Sequence, residues 1–348
     1  MHKAGLTGTI IRLTKADQNM RRESPVYFFR SNEIGKLIKI LPKFRNRLGI
    51  KVHFGEEGNR TFIPAKVIKK ITDSIKNPVL VECSVLYKSK RRTASGHREV
   101  ALAHGFNFAK LDFLDGECGD DSAVVKINKK HFEYCYLGAG IKKYKSLLVI
   151  SHFKGHRESN FSGALKNIGM GLASRRGKLA QHSSIRHYIN ESICTGCGQC
   201  RENCPVKAIS IGRNRKAKIK EKICISCSKC IAVCPTGAIK VPWGSTGPKK
   251  FQERIAEYAL AVVSGRKGFY VNFLKNITRE CDCYGKAMKK LTKDIGILAS
   301  HDPVAIDQAS YDLVVKQYPE FSMFDSEFLL KHAQDIGAGR RKYKIIKN

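Results

Sequence analysis

Several features are missing from this sequence, and each absence removes a class of function. No apolar run approaches the roughly 18 residues needed to cross a bilayer, so no membrane span is expected. Near the N-terminus, Arg12, Lys15, Arg21 and Arg22 are not followed by an apolar stretch and a small-residue cleavage site. No export signal is expected, and the chain is expected to be cytoplasmic. Neither a Gly-x-Gly-x-x-Gly fingerprint nor a P-loop is present, so a nicotinamide or a nucleoside triphosphate is not indicated. Acidic residues are scarce, 30 against 64 lysines and arginines, for a formal charge of +34. That excess is spread over the first 300 residues rather than gathered in one basic arm. A solvated, lysine-rich surface accounts for it, with an acidic redox partner or another polyanion as the alternative. No recognisable nucleic-acid motif accompanies the charge, so nucleic acid is not favoured as the partner.

Cysteine, by contrast, is abundant. There are 13, and eight of them fall between Cys194 and Cys234. In a chain without an export signal this spacing speaks for metal ligation rather than disulfides. The first run places Cys194, Cys197 and Cys200 three apart, then Cys204 followed by Pro205. The second repeats it 30 residues later with Cys224, Cys227, Cys230 and Cys234 followed by Pro235. Three cysteines at that spacing wrap a tight loop around one face of a cubane, and the fourth reaches across to the other half. This is the pattern of bacterial ferredoxins with two [4Fe–4S] clusters, in which the fourth cysteine of each run serves the other cluster. Cluster one is therefore expected on Cys194, Cys197, Cys200 and Cys234, and cluster two on Cys224, Cys227, Cys230 and Cys204. Gly196 and Gly198, with Ser226 and Ser228 in the second half, are expected to let the backbone approach sulfur. Zinc explains CxxC pairs in general but not two overlapping sets of four, each closed by proline.

The flanks alternate strand-like and helix-like stretches. A strand is expected at 26–29, a helix at 34–48 with Pro42 interrupting, and a strand at 49–54. A helix at 65–75, a strand at 79–85 and a helix closing at Gly105 follow, then a strand at 147–150. After the cysteine runs come a helix at 251–264, a strand at 269–274, a helix from Asp302 and Pro303 to about Val315, and a last helix at 326–335. Such alternation argues for an α/β domain with a largely parallel sheet. The expected organisation is an N-terminal extension at 1–24, a split α/β domain at 25–184 and 246–348, and an inserted α+β ferredoxin-like module at 185–245.

Outside the module, several stretches resemble the iron–sulfur protein family known as domain of unknown function 362. They are 51–56 with Gly58 and Asn59, Asp115 with Gly116, 152–156, 163–167, Gly177 and Lys178 with Gln181 and His182, 281–283, and 302–307. Ser162 stands where the family's glycine pair is expected. The resemblance implies an α/β domain with a ferredoxin insert and supplies no substrate. More remotely the arrangement is similar to the lactate racemase superfamily, which implies Lys166 with His152 or His156 as counterparts of residues holding a nickel-bearing nucleotide.

The residues themselves suggest a second site. His152, Lys154 and His156 follow a buried strand, where open α/β sheets place ligands, and offer a base, an anion contact and a metal ligand. His53 ends a similar strand-His-Phe turn. Lys166 sits in a glycine-rich stretch nearby. Cys281 and Cys283, in a segment expected to be extended, would point to one side as two soft ligands or a reactive thiol. Cys83, Cys118 and Cys135 are expected to be buried filler, and Asp302 a helix cap. The leading expectation is a possible iron–sulfur oxidoreductase in which electrons pass between the clusters and a small-molecule or metal-cofactor site. A further metal or organic cofactor is left open. The alternatives are a non-enzymatic carrier docking to a redox partner protein, and a nucleic-acid-binding protein with structural or sensing clusters.

Overall fold

The structure is a computed structural model describing residues 23–44, 46–321 and 327–347. The expected extension at 1–24 lies almost wholly outside the described residues, as does Ser326. In chain order the strands are β1 (Ser24–Phe29), β2 (Leu48–Lys51), β3 (Val79–Glu82), β4 (Lys110–Phe113), β5 (Ser122–Lys126), β6 (Tyr134–Gly138), β7 (Ser146–His152), β8 (Lys154–His156), β9 (Asn160–Ser162), β10 (Tyr188–Ile189), β11 (Ile209–Ile211), β12 (Ala217–Ile219), β13 (Ile239–Lys240), β14 (Lys267–Leu274), β15 (Gly296–Ser300) and β16 (Tyr343–Lys347). The helices are α1 (Ile34–Lys39), α2 (Ala65–Thr72), α3 (Ala94–Ala103), α4 (Ala164–Gly169), α5 (Arg175–His182), α6 (Gln199–Glu202), α7 (Lys229–Val233), α8 (Pro248–Val263), α9 (Pro303–Gln317) and α10 (Glu327–Asp335).

Eight strands form one sheet in the order β16-β1-β15-β14-β7-β2-β3-β4. Only β15 runs against its neighbours, so the sheet is largely parallel, as expected. Every residue of β7 is buried. Leu147 and Val149 face one core and Leu148 and Ile150 the other, which is why the strand reads as an unbroken apolar run. One face carries α4, α8, α9 and α10; the other carries α1, α2 and α3.

Several boundaries differ from expectation for identifiable reasons. The helix expected at 34–48 ends at Lys39, ahead of Pro42, and Leu48 already belongs to β2. Strands β2 and β3 stop at Lys51 and Glu82, short of the expected 54 and 85, because the following residues leave the sheet to build loops at its edge. At the start of α9 the Asp302 carboxylate accepts from Val304 N (2.9 Å) and Ala305 N (3.0 Å), a cap in the expected place.

The four short strands between 188 and 240 pair only among themselves, β10 with β13 and β11 with β12. Each half therefore exchanges a strand with the other. The left-handed positions repeat at the same 30-residue interval: Gly196 with Ser226, Gly198 with Ser228, Lys207 with Gly237. Because β10 and β13 are antiparallel partners, with Ile189 opposite Ile239, the chain leaves the α/β part and returns to it at neighbouring points. Among the described residues no helix is long and apolar enough to cross a membrane.

Candidate functional site

From β2 the chain adds β3 and β4 on one side, then returns to add β7 and β14 on the other. The reversal between β2 and β7 opens a crevice at the C-terminal strand ends, the place where open α/β sheets bind ligands. A cavity of about 510 Å³ occupies it. His152, Lys154, His156, Lys166, Cys281 and Cys283, six residues singled out in the sequence, all line this one cavity, together with His53, Arg91, Glu82, His182 and Trp243.

Asp282, fully buried, organises one wall. Its carboxylate meets His152 Nδ1 at 2.9 Å and Lys154 Nζ at 2.8 Å, and accepts from Thr61 Oγ1 at 3.0 Å. Burial opposes its ionisation, but His152 and Lys154 hold its pKa well below the usual carboxylate range. His152 Nε2 faces the Lys275 carbonyl at 2.9 Å, so both ring nitrogens are engaged. His152 and Lys154, expected as base and anion contact, thus serve as counter-charges of Asp282. The expectation of an extended segment around it needs correction. Tyr284 N donates to Cys281 O (3.2 Å), so residues 281–284 form a turn, and the turn brings the two thiols together.

The two thiols are tuned in opposite directions. A hydrogen bond from Cys281 lowers the Cys283 pKa well below that of an ordinary thiol; burial works against this, and His53 and Lys166 add to it. Cys281 is correspondingly pushed up, by the same bond and by burial. His53 accepts from Gly55 N at Nδ1 (3.1 Å), and its Nε2 lies 3.3 Å from Arg91 Nη1. Its own pKa is lowered by burial and by Arg91. Cys83, in the same cavity, is pushed well up by burial and by Asp115. One cavity therefore holds a thiol made less acidic and a thiol made more acidic than an ordinary cysteine. Cys83 and Cys135 are buried as expected, whereas Cys118 is half-buried.

His156 accepts from Glu158 N and Ser159 N, both 3.2 Å, at Nδ1. Burial, then Lys166, depresses its pKa strongly. A neutral ring accepting at Nδ1 carries its proton on Nε2, so His156 offers a donor and not a base or metal ligand. Lys166, on α4, makes no ion pair among the described residues, although Lys51 and Lys154 beside it are both paired with carboxylates. Helix α4 is held from outside: Asp307, on α9, accepts from Ala164 N (2.7 Å) and Leu165 N (2.9 Å). A side chain at Gly163 would collide with that carboxylate.

Sequence reasoning did not single out Asp282 or Arg91. Arg91 is fully buried and reaches His97 Nε2 (2.9 Å) and Glu56 (3.5 Å). Nothing local marks it, because its carboxylate partner Glu56 comes from the loop after β2.

The eight cysteines between 194 and 234 fall into two sets. Cys194, Cys197, Cys200 and Cys234 line one small hollow; Cys204, Cys224, Cys227 and Cys230 line the other. The fourth cysteine of each run thus sits with the other run's three. Backbone amides point at sulfur, Ala208 N to Cys204 Sγ and Ala238 N to Cys234 Sγ at 3.2 Å each, Ala217 N to Cys194 Sγ at 3.5 Å. His187 Nε2 lies 3.4 Å from Cys230 Sγ. Among the described residues no three His, Cys, Asp or Glu side chains are gathered to hold a single metal ion. The donor set suits a larger group gripped from four sides, so these residues fit two [4Fe–4S] clusters.

The loop after β3 links the cavity to the cysteine module. Leu86 lines the cavity and also belongs to the apolar cluster containing Cys194, Cys200, Cys230 and Cys234. Six residues on, Arg92 Nη1 donates to the Cys234 carbonyl (3.3 Å). Trp243, where the module ends, stands edge-on to His182 at the cavity rim, ring centroids 4.6 Å apart.

A family described as "Domain of unknown function (DUF362)" matches residues 48–312. No curated protein matches the chain in sequence. Among solved structures, the lactate racemase apoprotein from Thermoanaerobacterium thermosaccharolyticum aligns at a TM-score of 0.40 and 10% identity, over 86% of this chain and 58% of that one. A protein from Thermotoga maritima aligns at 0.37 and 10%, over 82% and 56%. The chain thus spans less than two thirds of either.

Proposed function

The chain belongs to that family, and from this premise we propose that it is an iron–sulfur oxidoreductase acting on a small acidic molecule in the cavity at the strand ends. Two [4Fe–4S] clusters, held by the eight module cysteines, would supply single electrons. The observation that carries the reading is the apolar cluster reaching from the cavity to the module: Leu86 lines the cavity and belongs to the same buried cluster as Cys194, Cys200, Cys230 and Cys234.

The chain's own residues define what the cavity can do. Lys166 offers a positive charge for a carboxylate or phosphate, whereas Lys51 and Lys154 are already paired with Glu82 and Asp282. His156 donates from Nε2 to an oxygen or nitrogen of the bound molecule. Cys283 presents a thiol whose pKa is drawn well below the ordinary value, first by the hydrogen bond from Cys281. Asp282, with its two cationic partners, holds the 281–284 turn in place. An apolar lining that includes Val85, Leu86 and Met170 keeps the charges in a poorly hydrated setting.

Metal analysis of the anaerobically purified full chain should give about eight irons with matching sulfide. Candidate acidic substrates are then screened for turnover with reduced viologen as donor. Lys166→Ala should weaken substrate binding, and His156→Ala should slow turnover by about 10²-fold. Unchanged binding and turnover in both variants would sink the assignment of this site. Full iron with no ligand ever bound in the cavity would instead favour an electron carrier.

A further inference from the structure

We infer that Cys281 and Cys283 form a dithiol/disulfide couple at the wall of the cavity, with Cys283 as the reacting sulfur. The inference rests on the proposed function only for its source of electrons. Three observations carry it. The two cysteines lie in one turn, closed by Tyr284 N donating to Cys281 O, and their side chains hydrogen-bond to each other. Both line the cavity, so a bound molecule can reach them. And the surroundings favour one charge shared between them: the Cys281 thiol hydrogen-bonds to Cys283 and keeps the remaining proton, and Lys166 lies close by. Cys83 serves as the control. It lines the same cavity, has no thiol partner among the described residues, and is pushed well up by burial.

The step balances as follows. In the oxidised form Sγ of Cys281 is bonded to Sγ of Cys283. Two electrons, one from each one-electron iron–sulfur carrier in the module, and one proton from water cleave that bond. The products are the Cys281 thiol and the Cys283 thiolate. Two single-electron carriers thereby feed a group that exchanges electrons in pairs, the form in which most organic substrates accept them. A disulfide closing so short a loop, with its reduced form stabilised by His53 and Lys166, belongs with the readily reduced kind.

Trypsin releases residues 280–286 as one peptide containing both cysteines and no other. The full-length, anaerobically purified protein is equilibrated in reduced and oxidised glutathione at graded ratios, quenched with iodoacetamide and digested. Under reducing ratios the peptide should carry two labels. Under oxidising ratios it should carry none and be lighter by two hydrogens. Cys281→Ser should abolish the unlabelled form. At pH 6.5 Cys283 in that variant should be alkylated at least about tenfold faster than Cys281 in Cys283→Ser, as one unit of pKa difference requires. Two labels at every ratio, a persistent glutathione adduct on wild-type Cys283, or equal alkylation rates would each overturn the inference. Iron is counted in the same samples. Full iron without a disulfide removes the couple and leaves the proposed function standing; a disulfide without iron does the reverse.

Discussion

The cysteine module and the cavity are both polar sites in buried surroundings, yet they are built on different plans. The module is made twice from one short repeat. Its cysteines lie three or four residues apart within each run, its amides at 208 and 238 face sulfur in the same way, and each half completes the other. The cavity is made once, from loops after β2, β3, β7 and β14 and from α4, and its stability depends on charges that cancel across those loops. Lys51 with Glu82, Arg91 with Glu56, and Lys154 and His152 with Asp282 are each supplied by a different segment. A repeat can lose one member and damage one of its two halves. A balanced set of buried charges that loses one member leaves the others without compensation.

That contrast can be broken from either side. The largest effect is expected in the module. Cys197→Ala and Cys234→Ala, at opposite ends of the repeat, should each lower iron from about eight to about four per chain. Their double variant should keep the same four, whereas Cys197→Ala with Cys204→Ala should lose nearly all. Additive loss in the first pair would show that the halves do not cross over. Next comes Asp282→Ala, which strands His152 and Lys154 and should cost about 3–5 kcal/mol in urea unfolding; a cost near that of a surface change would mean the charges are not balanced by Asp282. Asp307 sharpens the comparison through pH. Burial raises its pKa to about 6 even though Asn272 and two backbone amides favour its charged form. A carboxyl whose folded pKa is raised contributes most stability below its unfolded value near 4, and this is lost as pH rises through about 6. Unfolding of wild type relative to Asp307→Asn should therefore weaken by up to about 3 kcal/mol between pH 4 and 7, and a flat difference would contradict the raised value. The smallest change is Asp302→Ala, which removes the α9 cap at a cost of about 1 kcal/mol and should leave iron content and thiol labelling unaltered.

The two plans also explain what could be read in advance. The grouping of cysteines in the module followed from spacing alone, because a site made of near neighbours leaves its geometry in the sequence. The strands β7 and β14 were legible as apolar runs, and α9 by its capping aspartate. The cavity was legible only in pieces. His152, Lys154, His156, Lys166, Cys281 and Cys283 could be named, but their roles depend on how loops place their partners, and for His152 and Lys154 that partner, Asp282, lies more than a hundred residues away. Lys154 looked free until Asp282 met it, and His156 looked like a base until the amides of Glu158 and Ser159 took its Nδ1. Cys281 and Cys283 do come together, through a turn rather than the extended geometry their spacing suggested. Arg91 gave no local signal, since a buried arginine and a surface arginine look alike until the loops carrying its acceptors are placed.

The pairing of β10 with β13 has a consequence for how the molecule assembles. Strand β14 must find β7, placing Tyr270 beside Val149, across more than a hundred residues of intervening chain. Once Ile189 and Ile239 are clamped together, the flexible chain to be closed is roughly halved, and the entropy of closure falls by about 0.5 kcal/mol. The insert therefore acts as a clasp: a chain whose module is already formed has the shorter search for its central sheet. Refolding of the cysteine-substituted protein should be slower on this account, by a factor of two or so at equal final stability.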